Sequence, residues 1–232
     1  SKMSEVKNIF VQPAASDNGT ALGAAYLVAL KKVPNIKIKL DHLYYGPKFS
    51  NNQILKSIKE TKLKYKYVKN IEKDIAKEIY KGKIVAWFQG AAEFGARALG
   101  GRSILADPTN KNMKNKLNIE VKHRENWRPF CPSINSYAFK KYFDIENDCS
   151  YMIMATKIKK KFRDILPSVV HIDGTVRPQN VKYKNNKKYF NLIREFEKLS
   201  GHPVILNTSF NIQGEPIVNS PQDAIRCFSG TG

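Results

Sequence analysis

An α/β domain is what this sequence predicts, on three observations. Strand-length apolar runs at residues 84–88 and 203–206 alternate with helical periodicity over 51–58, 71–79 and 110–121, and strands interleaved with amphipathic helices build a layered sheet. The helical stretches carry start and stop signals: Ser50 ahead of the first, Ser220-Pro221-Gln222-Asp223 at the last, Gly82 and Gly201 as terminators. Finally, 232 residues of which 42% are hydrophobic can bury the core of one domain and part of another.

In chain order, a polar turn at Asp17-Asn18-Gly19, with Ser16 or Asp17 as N-cap, opens an Ala/Leu-rich helix to about Lys31. Its small residues Gly23, Ala24 and Ala25 suit close packing. Residues 33–49 form a connector holding Pro34, Gly46 and Pro47. Ser50 caps a helix with Ile54, Leu55 and Ile58 on one face, and a second helix places Ile71, Ile75, Ala76 and Ile79 at helical spacing. Residues 84–88 read as a buried strand. The helix over 110–121 carries Met113, Leu117 and Val121 and delivers Lys122 and Arg124; in an extended Lys122-His123-Arg124 the two cations share a side and His123 faces away. Strands follow over 151–157, 168–173 and 175–181, turning at Gly174, with His171, Asp173 and Arg177 on a common surface. An amphipathic helix stops at Gly201, and residues 203–211 form a buried strand ending in Asn207, Ser209 and Asn211.

A net charge of +20 attracts nucleotides, nucleic acid and acidic polysaccharide alike. The lysines spread over every segment, as in KSIKETKLKYKYVKN and KIKKKF, with no single basic tail, which disfavours a dedicated nucleic-acid face. Cys131, Cys149 and Cys227 are odd in number and lack C-x-x-C spacing, so neither a disulfide framework nor a zinc knuckle is supported and reduced cytoplasm fits best. The longest apolar stretch, residues 21–30, is too short to span a bilayer and no basic leader precedes it, so no membrane partner is expected.

Arginine is distributed differently from lysine. Residues 83–134 hold four of the eight arginines, and none precedes Arg97. Arginine offers a planar fork matched to carboxylate and phosphate oxygens. Gly90, Gly95, Gly100 and Gly101 interrupt regular structure around it and keep backbone N–H groups accessible to an anion. Neither a Walker A loop nor G-x-G-x-x-G is present.

The run Glu93-Phe94-Gly95-Ala96-Arg97-Ala98-Leu99-Gly100-Gly101-Arg102-Ser103-Ile104-Leu105-Ala106-Asp107-Pro108, with Lys122-His123-Arg124-Glu125-Asn126-Trp127-Arg128-Pro129-Phe130 after it, resembles the signature of the NodU/CmcH/TobZ-type O-carbamoyltransferases. Tyr44-Tyr45-Gly46-Pro47-Lys48-Phe49-Ser50 is similar to that family's interdomain linker, and His171-Ile172-Asp173-Gly174-Thr175-Val176-Arg177-Pro178-Gln179 to its H-x-D-G-T-x-R-x-Q motif. The resemblance implies that residues 1–32 are the C-terminal remnant of an actin-like (ASKHA-type) carbamoyl-transfer domain, 33–46 a linker, and 47–232 a YrdC-like domain, a twisted open mixed sheet with flanking helices. Asp17 would be a metal ligand, for Fe2+ in the full-length protein, its partner ligands lying outside this chain. Lys122-x-Arg124 and Ser209-x-Asn211 also resemble the K-x-R and S-x-N signatures of YrdC-like domains.

The implied chemistry uses ATP, Mg2+ and carbamoyl phosphate to form carbamoyl-adenylate, for O-carbamoylation of an unknown hydroxylated acceptor, a sugar or natural product. Lys122, Arg124, Arg128 and His171 are the expected catalytic residues; Arg97, Arg102, Arg177, Asn207, Ser209 and Asn211 are expected to bind the cofactor. Two phosphorylated anions in one pocket repel unless cations lie between them, and the Ser and Asn groups add uncharged hydrogen bonds that orient. No cysteine is given a role. Glu93 and Asp107 are the nearest acids, available to a metal or to an arginine. The alternative readings are a basic RNA-binding module, for which Phe94, Trp127 and Phe130 sit in contexts that read as buried, and a tRNA threonylcarbamoyl-adenylate synthase-like module, disfavoured by the E-F-G-x-R-A-L-G-x-R-S run.

Overall fold

The computed structural model describes residues 10–38, 40–145 and 147–231; positions 1–9 of the expected N-terminal remnant lie outside the described residues. Helix α1 (Asp17–Lys32) is followed by α2 (Asn51–Lys59), α3 (Ile71–Tyr80) and the antiparallel strands β1 (Val85–Phe88) and β2 (Arg102–Ala106). Then come α4 (Met113–Lys116), β3 (Cys131–Asn135), α5 (Phe139–Tyr142), β4 (Thr156–Lys157), β5 (Thr175–Val176), β6 (Gln179–Val181), α6 (Lys187–Ser200), β7 (Val204–Ser209) and α7 (Pro221–Ser229). The main sheet runs β1-β2-β7-β3-β6, antiparallel except for the β3/β6 pair, and β4 with β5 forms a separate ribbon. This is the expected mixed sheet with flanking helices.

Alternation along the strands sends side chains to two cores. Leu105 and Ile205 face α3 and α6 with Ala76, Ile79, Tyr189, Leu192, Ile193 and Phe196. Ile104, Ala106, Ile134, Val204 and Leu206 face the other way onto Met113, Leu117, Phe130, Phe139 and Tyr142. The capping signals function as read: Ser50 with Gln53, and Ser220 with Asp223, both close capping boxes. Gly201 ends α6 in the left-handed region with φ 77°. Ser16 occupies the N-cap of α1 without a side-chain cap bond, and α1 contributes no buried residue.

Three expectations change. The helix over 110–121 is only α4, continued as a π turn over Leu117–Val121, a bulge that recurs at functional sites. Lys122 is then helical and His123 has φ 45°, so 122–124 is not extended. The strands expected over 151–157 and 168–173 contract to β4 and a loop, and 175–181 splits into β5 and β6 at Arg177-Pro178, where proline lacks the ladder donor. Leu166 and Val169 are buried in the larger core without pairing in a sheet; their apolarity marks burial, which a strand pattern mimics. No helix among the described residues is long and apolar enough to cross a membrane.

Candidate anion-binding site

The motif residues gather at the end of the sheet where β7 finishes and β2 and β3 begin. Glu93 organises the preceding loop. Its Oε1 accepts from the backbone N–H of Leu99 (2.6 Å), Gly101 (2.6 Å) and Arg102 (3.3 Å), so residues 94–101 wrap around one carboxylate. Gly100 has φ 98°, and a Cβ there would stand 2.2 Å from the Tyr189 ring, a position only glycine fills. Asp107 accepts from the backbone and hydroxyl of Thr109. Both acids therefore serve backbone turns, and neither pairs an arginine.

The loop presents Arg97 to a cavity of about 110 Å³ lined also by Arg124, Phe130, Cys131, Met152, Arg177, Asn207 and Ser209. No acid lines it, and no described carboxylate lies within ion-pairing distance of Arg97, Arg124 or Arg177. Desolvation lowers the Arg97 pKa, and Arg177 lowers it further. Arg124 is lowered by desolvation and then by Arg128. An anion among these guanidiniums relieves their mutual repulsion. Arg124 is aimed by Asn118, whose Oδ1 accepts from its Nε at 2.7 Å, and by Phe130, whose ring centroid lies 4.9 Å from the guanidinium. Asn118 Nδ2 also donates to the carbonyls of Asn126 and Arg128. This hub was missed in the sequence because one Asn among Leu117, Ile119 and Val121 carries no distinguishing signal. Arg177 donates through Nε and Nη2 to Cys131 Sγ at 3.4 and 3.3 Å. Two non-glycine residues have positive φ among the described residues: Met152, which lines this cavity, and His123, next to Arg124 in the chain.

Other expected residues are placed differently. Arg102 is fully buried and stacks 3.6 Å from the Phe88 ring centroid. Its guanidinium donates to the carbonyls of Gln89, Gly90, Gly101, Pro47 and Asn219, leaving no N–H for a phosphate. Lys122 is 3% exposed, and its Nζ donates to Ser209 O (2.5 Å), Asn211 O (2.8 Å) and Asn211 Oδ1 (2.8 Å). Burial, and then Arg124, push its pKa down to about 7. Asn207 is buried, its Nδ2 donating to Ala98 O, Ser133 Oγ and Gln179 Oε1. Asn211 Nδ2 donates to Glu215 O. Arg128 is exposed and pairs with Glu125 at 3.0 Å.

His171 is absent from the cavity lining. It sits in a tight turn where Thr175 Oγ1 donates to Asp173 Oδ1 and lies 3.0 Å from His171 Nδ1. The threonine proton is committed to the carboxylate, so Nδ1 carries the N–H and Nε2 is the free lone pair. Burial is the main cause lowering the His171 pKa. Asp17 starts α1, and no group of three His, Cys, Asp or Glu residues that could hold a metal occurs among the described residues. Asp17 is one carboxylate of the expected iron centre, whose other ligands are expected outside this chain. Of the aromatics expected to be buried, Phe130 is, whereas Trp127 is 69% exposed.

A second cavity, of about 420 Å³, shares Ala96 and Ser209 with the first and is walled by Asn18, Glu93, Asn211 and Asn219. A larger groove over Ile84, Ala86, Ile104, His123, Phe210 and Phe228 holds none of the residues expected to be catalytic or to bind the cofactor.

A mixed α/β sheet presenting an acid-free cluster of guanidiniums beside a serine hydroxyl has the donor set that small oxyanions require. The family model of the carbamoyltransferase C-terminus matches residues 76–232, and the chain belongs to that family. An uncharacterised protein of Methanocaldococcus jannaschii is 42% identical over 229 residues, covering 96% of this chain and 38% of its own length. The nodulation protein NolO of Bradyrhizobium diazoefficiens is 38% identical over 231 residues, covering 97% of this chain and 42% of its own length. The chain thus spans about two fifths of each of these curated relatives. Among solved structures, HypF of T. kodakarensis is similar with a TM-score of 0.50 at 20% identity, over 69% of this chain and 20% of that one, a likeness of fold alone.

Proposed function

We propose that this domain binds ATP and carbamoyl phosphate and forms carbamoyl-adenylate, which the remainder of a longer protein delivers to a hydroxyl of a sugar or natural product. The observation that carries the proposal is the convergence of Arg97, Arg124 and Arg177 with Ser209 on one acid-free cavity, in a chain of the carbamoyltransferase family. In the proposed sequence, water releases phosphate from carbamoyl phosphate, and an oxygen of the resulting carbamate attacks the α-phosphorus of ATP, pyrophosphate leaving. No protein nucleophile is required; positioning and neutralisation of phosphoryl charge are. Arg97, Arg124 and Arg177 hold the anionic oxygens, and Ser209 orients them. Arg128, exposed and paired with Glu125, and His171, outside the cavity lining, act from the periphery, the latter through Nε2. Arg102 and Asn207, on their hydrogen bonds, build the walls. Glu93 and Asp107 are engaged with backbone, so we assign magnesium to the phosphates and not to a protein carboxylate. Helix α1, with no buried residue, we assign to the preceding domain.

Incubation with α-labelled ATP tests the reading. AMP that forms only with carbamoyl phosphate and is lost in Arg124→Ala is the expected result. ADP as the sole labelled product indicates phosphoryl transfer and refutes it.

A further inference from the structure

Lys122 belongs to the K-x-R motif, yet its geometry points away from the anion cavity. An ammonium has three protons, and its three short contacts are Ser209 O, Asn211 O and Asn211 Oδ1, all within 2.8 Å, with Ser209 Oγ a longer fourth at 3.5 Å. Lys122 does not line the cavity that Arg97, Arg124 and Arg177 share. The Ser209 hydroxyl donates its own proton to the same Asn211 Oδ1, at 2.7 Å. That oxygen therefore accepts twice, while Asn211 Nδ2 is tied to Glu215 O at 2.7 Å.

Double acceptance has a physical consequence. If Ser209 turns its proton toward an anion, Asn211 Oδ1 keeps the Lys122 bond and no buried acceptor is orphaned, a loss that otherwise costs about 1–3 kcal/mol. Without the ammonium, Ser209 must stay on Asn211 or leave that oxygen bare. We infer that Lys122 is a positioning residue: it fixes the 209–215 turn and frees the Ser209 hydroxyl for an anion seated among Arg97, Arg124 and Arg177, donating no hydrogen bond to that anion itself. This rests on the anion-site reading above and adds a mechanism to it.

The test is a double-mutant cycle on the intact chain with ATP as probe. Ser209→Ala removes one hydrogen bond to a charged group and weakens ATP about tenfold to a hundredfold. Lys122→Met, which keeps the stem, weakens it comparably. Because Lys122 acts through Ser209, the double variant stays within about threefold of Ser209→Ala alone. Independent losses, the double variant being weaker by the product of the two, mean that Lys122 meets the anion directly and overturn the inference. Amide hydrogen exchange over 209–215 supplies a ligand-free readout, and protection must fall in Lys122→Met but not in Ser209→Ala. Parent-like exchange in Lys122→Met removes the clamp. Failure of the wild-type protein to bind ATP removes the anion site and the release of Ser209, while the exchange data still decide the clamp.

Discussion

Replacing Arg102 measures whether it is a ligand contact or part of the wall. Six guanidinium hydrogen bonds reach five carbonyls. Two of these keep another donor when the arginine is gone, since Ala92 N–H donates to Pro47 O and Gln89 N–H to Gly101 O. Gln89 O, Gly90 O and Asn219 O keep none among the described residues, and three orphaned acceptors cost roughly 3 kcal/mol at the low end of the range. The stack on Phe88 adds about 1–2 kcal/mol when desolvated. Arg102→Ala therefore loses about 4–5 kcal/mol, close to the entire stability of a marginal domain, so the informative variant is Arg102→Lys. An ammonium serves at most three of the five acceptors, and the expected loss is about 2–3 kcal/mol. Urea unfolding followed by far-UV circular dichroism gives the number. Stability within about 1 kcal/mol of the parent, together with a tenfold or larger loss of ATP affinity, refutes the structural role and returns Arg102 to the ligand.

Arg97→Ala and Arg177→Ala leave stability within about 1 kcal/mol, since neither is paired with an acid, and each weakens ATP by about tenfold or more in calorimetric titration. Glu93→Gln retains an acceptor for the three amides and costs about 1–2 kcal/mol, whereas Glu93→Ala orphans them, costs about 3 kcal/mol or more and abolishes ATP binding; equal effects of the two would sink the clasp. Gly100→Ala combines left-handed backbone strain with a clash against Tyr189 and costs about 3 kcal/mol in chemical denaturation. The Lys122 pKa, about 7 when folded, lies below its unfolded value, so the unfolded chain binds the extra proton between roughly pH 7 and 10 and stability rises over that window by on the order of 1.4 kcal/mol per unit. Arg124 opposes the charge and Cys227 favours it; subtracting the profile of Lys122→Met isolates the lysine, and an unchanged difference across that window contradicts the buried ammonium.

What the sequence determined by itself are the features set within a few residues. Ser50 and Ser220 are caps because each side chain meets an amide three residues on, and Gly201 stops α6 through its own φ. The apolar run 203–206 marks a buried strand by its own composition. The concentration of half the arginines in 97–128 raises the expectation of oxyanion binding from the side chain's own preference. Tertiary structure alone decided which cations remain open. Arg97 and Arg102 stand in one motif, yet Arg102 is consumed by carbonyls as far away as Pro47 and Asn219, while Arg97 reaches the cavity. Lys122 is taken by a turn 87 residues away, at Ser209, and Arg177 arrives only because β6 pairs with β3. A hydrogen-bond donor is satisfied by whatever acceptor packing brings to it, and residues dozens of positions apart in the chain leave no local mark of that meeting.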